Sequence, residues 1–158
     1  MNLKLIAEDA LNYLFEGYIQ TGGTGIFALD EVAQKHGVDA QQLGSLLNEQ
    51  GWIQNPNYGP FGFSCQISRS GVQQIQPDYF SDLISTAIIT AGHINDWTGL
   101  LTALGLEPKD YQRVHDLGKV FERNGLAEVQ YQVDDVYIKL TLLGMEKYHR
   151  ENQGGFFS

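Results

Sequence analysis

The chain has 158 residues, enough for one ordinary domain or two very small ones. Its 42 % hydrophobic and 11 % aromatic content can fill a core and excludes wholesale disorder, while a single cysteine, Cys65, excludes an intramolecular disulfide framework. Ten basic against 19 acidic residues leave a net charge of −9, an average field that repels phosphates, so any nucleic-acid binding has to rest on a local basic patch.

The N-terminal MNLKLIAEDALNYL interrupts its apolar pattern with acids, unlike a signal peptide. No run of about 18 apolar residues is present to span a membrane. A cytoplasmic protein without membrane contact is expected.

Leu3, Ile6, Ala7, Ala10, Leu11, Leu14 and Tyr18 share one face at helical spacing, with Glu8, Asp9, Asn12 and Glu16 elsewhere, which predicts an amphipathic helix over 3–18. It ends in QTGGTG at 20–25. A phosphate-binding loop there would need a strand before it and Lys-Ser/Thr opening the next helix. A helix precedes it instead, Ile26 follows, and the next lysine is Lys35, so it reads as an inter-helix loop and no nucleotide is expected.

Ile26 and Phe27 suit a stub of strand. Leu29, Val32, Ala33 and His36 mark a short helix stopped by Gly37. Asp39 can cap the next helix, with Gln42 as reciprocal partner; Leu43, Leu46 and Leu47 form its buried face and Gly51 its end. NPNYGP is turn chemistry. Beyond it Phe61, Phe63, Cys65 and Ile67 alternate with small or polar residues, as in a half-buried strand.

The second half repeats the first. LGSLLNEQGWI at 43–53 matches LGKVFERNGLA at 117–127 through Leu43 and Leu117, Gly44 and Gly118, Gly51 and Gly125. QISRSGVQQI at 66–75 matches LTLLGMEKY at 140–148 through Ile67 and Leu140, Gly71 and Gly144, read as the two strand ends. Leu100, Leu101, Leu104 and Gly105 stand where Val32, Ala33, His36 and Gly37 stood, followed by a turn six residues longer. The repeat's first helix is expected near 81–92, with Phe80, Leu83, Ile84, Ala87, Ile88 and Ala91 as its stripe. Its hairpin is VQYQV, Asp134-Asp135, VYIKLT. Pro77 marks the boundary, giving units at 1–77 and 78–150 that are expected to pack together. Residues 151–158, with Phe156 and Phe157, read as a flexible tail.

The predicted class is mostly α with small β-hairpins (α+β). Three helices closed by a hairpin, with LGxxxxxxG before each hairpin, resembles the winged-helix superfamily in a tandem arrangement over about residues 3–150. The resemblance implies a third helix that reads a partner and a hairpin that acts as a wing. It also implies work as a DNA-binding transcriptional regulator or as a protein-interaction module.

The candidate contact residues follow. In unit 1 the third helix exposes Gln41, Gln42 and Ser45, and Arg69 is the one Lys or Arg between 36 and 108. Glutamine can read adenine, but phosphate clamps are needed to hold such contacts in register. In unit 2 Lys109, Arg113, Lys119 and Arg123 are expected along the third helix, with Gln112 and His115 near its start, while Asp134-Asp135 at the wing tip would repel a phosphate backbone. His36, His93, His115 and His149 lack local metal-ligand spacing, Cys65 is in phase with a core face, and no catalytic constellation stands out. No metal, cofactor or enzymatic activity is expected. The leading expectation is a regulatory module that binds a protein partner or itself; the second is a DNA-binding regulator that uses unit 2.

Overall fold

The computed structural model describes residues 2–60 and 62–157, the side chains of 153–157 excepted. Among them are eight α-helices and two small antiparallel sheets of three strands, an α+β chain. No helix of the described residues is long and apolar enough to cross a membrane. The chain divides into two compact units, Met1–Pro77 and Asp78–Ser158.

In unit 1, α1 (Leu3–Gln20) is capped by the Asn2 side chain, which accepts from Leu5 N. It buries Ile6, Ala7, Ala10, Leu11, Leu14 and Tyr18. Full burial of a side chain such as Leu11 or Leu14 contributes roughly 1.5–3 kcal/mol. Leu3, expected on the same face, is 55 % exposed. The stub β1 (Phe27–Ala28) leads into α2 (Asp30–His36) and α3 (Ala40–Glu49). Asp39 caps α3 by accepting from Gln41 N at 3.0 Å.

The hairpin is β2 (Ile53–Tyr58) and β3 (Phe63–Ile67), with β3 in the middle of the sheet order β1-β3-β2. NPNYGP was expected as the turn, yet four of its residues lie in β2. The pairing shifts between Gln54 and Asn57, where Asn55 takes φ 53°. A bulge absorbs Asn55 and Pro56, which the ladder would not accept in register. Phe61 lies outside the described residues; Phe63, Cys65 and Ile67 are buried as their spacing predicts.

The expected strand end after Ile67 is instead a helix, α4 (Arg69–Ile75). The same correction applies to unit 2, where α8 (Leu142–Phe157) follows the hairpin and continues through the segment expected as a tail. The Phe156 and Phe157 side chains lie outside the described ones. Ser68 and Thr141 explain both turns into helix. Ser68 Oγ donates to Gly51 O at 2.6 Å and accepts from Gly71 N at 3.0 Å. Thr141 Oγ1 donates to Gly125 O at 2.6 Å and accepts from Gly144 N at 3.1 Å. Each hydroxyl caps its new helix and ties it to the end of the third helix.

Unit 2 repeats the order: α5 (Tyr79–Ile94), β4 (Thr98–Gly99), α6 (Leu100–Leu104), α7 (Tyr111–Arg123), β5 (Ala127–Tyr131), β6 (Val136–Leu140) and α8. The extra residues before α7 hold a 3₁₀ turn, Pro108–Asp110. The strand registers correspond as well. Phe27 pairs Cys65 where Thr98 pairs Ile138, and Ile53 pairs Ile67 where Ala127 pairs Leu140. The sequence reading had no counterpart for β4, since two residues carry no periodicity.

The repeated glycines have specific jobs. A Cβ on Gly44 would enter the Phe63 ring, and one on Gly118 would press on Val136, Tyr131 and Val129, so both let the hairpin rest on the third helix. Gly51 and Gly125 end those helices at φ 75° and 68°.

Candidate functional site

Two residues of the outer face of α3, Gln41 and Ser45, are engaged with their own hairpin. Gln41 Nε2 donates to Gly59 O at 2.7 Å, and Ser45 Oγ lies 3.1 Å from Tyr58 OH. Tyr58 in turn meets Phe63 edge-on, with ring centroids 4.9 Å apart. A shallow cleft of about 410 Å³ runs here, with Asp39 at one end and Glu49 at the other and no lysine or arginine in its lining. Gln42 projects outward, exposed. Arg69 is not on this helix; it opens α4, half-buried.

The four cations expected along the third helix of unit 2 do not form the row that their spacing suggested. Lys109 sits in the 3₁₀ turn ahead of α7 rather than on it. Arg113 turns inward: Nε donates to Tyr79 OH at 2.8 Å, a terminal guanidinium nitrogen lies 3.3 Å from Asp110 Oδ1, and its side chain is only 14 % exposed. Burial pushes the Tyr79 phenol pKa up, and Arg113 offsets part of that rise. Gln112 donates to Asp116 Oδ1 at 3.1 Å. Lys119 lies over the Tyr131 ring, 4.3 Å from its centroid, a cation–π contact that leaves the charge at the surface. Arg123 is exposed in the last turn of α7 and, among the described residues, has no ion-pair partner. Helical spacing sets Gln112, Asp116, Lys119 and Arg123 on one stripe. That stripe offers two cations, one carboxylate and one amide.

The second hairpin tip also differs from expectation. Asp135 is 6 % exposed and does not face solvent as a repelling charge. Its Oδ1 accepts from Leu101 N at 3.0 Å and Val136 N at 2.7 Å, so the hairpin caps the start of α6. Its other oxygen faces Gly99, where a Cβ would not fit. Of the two aspartates, Asp134 is the one that stays exposed at the tip. It accepts from Tyr137 OH at 2.9 Å, a bond that raises the phenol pKa. An adjacent Asp-Asp pair gives no sequence signal as to which member folds inward; the helix start that needs a cap lies 34 residues away.

The chemically reactive residue types are held structurally. Cys65 is fully buried and its pKa is pushed up to about 12 by that burial. His36 Nε2 lies 2.8 Å from Asp9 Oδ2, and Lys35 Nζ 3.1 Å from the same oxygen. His93 is in the last turn of α5 with Nδ1 3.1 Å from Tyr148 OH. His115 is half-buried, its ring 4.7 Å from that of Tyr131. Among the described residues no group of three His, Cys, Asp or Glu is placed to hold a metal. The glycine loop closes on itself: Thr21 Oγ1 donates to Gly17 O and accepts from Gly25 N at 2.9 Å, and Gln66 Nε2 donates to Gly23 O at 2.8 Å.

No family model, curated protein or solved structure matches the chain.

Proposed function

We propose that this chain is a cytoplasmic, non-enzymatic binding protein made of two winged-helix-like units, and that its partner is a protein surface. One observation carries the reading: Arg113, one of the four cations expected along the third helix of unit 2, is enclosed by Tyr79 and Asp110. The third helix of unit 1 adds no cation of its own, and its Gln41 and Ser45 are engaged with the hairpin. Phosphate contacts supply most of the affinity of a DNA-binding protein and hold its base contacts in register. A surface with two cations beside a carboxylate, on a chain of net charge −9, suits the polar rim of a protein interface better.

The second reading, a DNA-binding regulator, draws on Lys119 and Arg123 sharing the outer stripe of α7. A fluorescence-anisotropy titration with mixed-sequence duplex DNA, at low and at near-physiological salt, separates the two. The protein-partner reading expects no binding at either. Binding that weakens steeply with salt, and is lost in Lys119→Glu with Arg123→Glu, overturns it.

A further inference from the structure

Unit 1 carries an apolar groove of about 550 Å³ between the N-terminal half of α1 and the ends of α3 and α4. Its floor is Ala7 and Leu11, and its walls include Leu46, Trp52 and Ile75. Its rim carries Lys4 and Glu8, both exposed, one turn apart on α1. Leu3 in the lining is 55 % exposed. Among the described residues neither Lys4 nor Glu8 has an ion-pair partner.

The repeat indicates what shape fits such a face. After Ser68, α4 runs only to Ile75, whereas after Thr141 the corresponding α8 runs on to Phe157. That extra length lies against α5. Tyr148, the counterpart of Ile75, meets α5 at Gly92, and beyond it Glu151 Oε1 accepts from Ser85 Oγ at 3.0 Å. Unit 2 therefore covers the first helix of its repeat with a helix, and unit 1 leaves the start of its own first helix uncovered.

We propose that a second copy of this chain covers the groove, through two-fold antiparallel packing of α1 on α1. The charge pattern favours a self-complementary contact. In a two-fold interface each residue pair occurs twice with roles exchanged. With the axis at the level of Ile6 along the helix, Lys4 faces Glu8 of the second copy and Glu8 faces its Lys4, while Leu3 leaves water. The inference rests on reading the chain as a protein-interaction module, and names its partner.

The test is sedimentation velocity on the full chain over a concentration series at near-physiological salt, where a Debye length of about 8 Å screens the net negative charge. The wild-type chain is expected at twice its mass of 17.6 kDa. Lys4→Glu alone and Glu8→Lys alone each place like charges together twice and should weaken the dimer roughly tenfold. Combining both restores opposite pairs and should restore the dimer. Both positions are exposed, so at concentrations low enough that every form is monomeric the thermal melts of these variants should match wild type. A monomer at roughly 100 µM, far above the micromolar Kd of a functional dimer, overturns the proposal, as does a dimer indifferent to the charge swaps. Either result leaves a different protein as the partner; failure of the broader reading would appear instead as salt-dependent DNA binding.

Discussion

Arg113 Nε donates to Tyr79 OH at 2.8 Å, joining the first turn of α7 to the start of α5. On its other side the guanidinium meets Asp110, itself 5 % exposed. A cation that looked like a DNA clamp in sequence is thus a tie between elements of unit 2. Removing one member of such a pair strands the other charge in a poorly hydrated place, which costs about 3 kcal/mol or more. Arg113→Ala is expected to lower the unfolding free energy by about that amount in urea titrations. A change within about 0.5 kcal/mol, as at ordinary surface positions, would contradict the assignment.

The glycines after each hairpin give a second prediction. A Cβ on Gly71 would collide with the carbonyl oxygen of Trp52, and one on Gly144 with that of Leu126. Backbone cannot swing aside as a side-chain tip can. Gly71→Ala and Gly144→Ala should each cost roughly 1–3 kcal/mol, with losses of similar size. A neutral outcome for either would show that the two helix starts are not equivalent.

Cys65 should be chemically silent in the native state. It has no exposed surface and its thiol pKa stands at about 12, so almost no thiolate exists near neutral pH. Reaction with a disulfide reagent at pH 8 should follow unfolding, becoming fast only in denaturant. Rapid labelling of the folded chain would contradict the packing of β3.

Acid should remove one specific contribution. The hydrogen bond with His36, and then that with Lys35, hold the Asp9 carboxyl below its ordinary 3.8. A depressed carboxyl pKa stabilises the fold above the unfolded value and loses that stabilisation as pH falls through the folded value. Asp9→Asn should therefore melt lower than wild type at pH 6, and the gap should close below about pH 4. The gap should be small, because the Asp9 side chain is 36 % exposed and its partner Lys35 is 68 % exposed. A gap that persists unchanged at pH 3 would place the effect elsewhere.

The helices were legible where periodicity is long. Ile6 through Tyr18 and Phe80 through Ala91 each fill several turns, and their buried faces match the spacing. The repeat was legible because Gly44, Gly51, Gly118 and Gly125 answer to backbone geometry rather than to composition. α4 was missed because seven residues with two strong apolar positions, Val72 and Ile75, do not declare a period, and the Ser68 cap was read as the end of a strand. β2 was cut short because Asn55 and Pro56 signal a turn, while the bulge that accommodates them depends on pairing with β3. The candidate site was least legible. Lys109, Arg113, Lys119 and Arg123 are equivalent as letters; Tyr79 and Tyr131, distant in sequence, decide which of them turn inward or lie on a ring. The groove of unit 1 had no sequence signal, since Trp52, Ile75 and Ala7 come together only through the tertiary fold.

The most direct measurement is a residue-resolved NMR titration of the full chain with a short mixed-sequence DNA duplex at low salt. The account predicts no clustered amide shift changes on α3 or α7. Saturable shifts at Gln112, Lys119 and Arg123 and along the β5–β6 hairpin, reversed by added salt, would contradict it and make unit 2 a DNA reader.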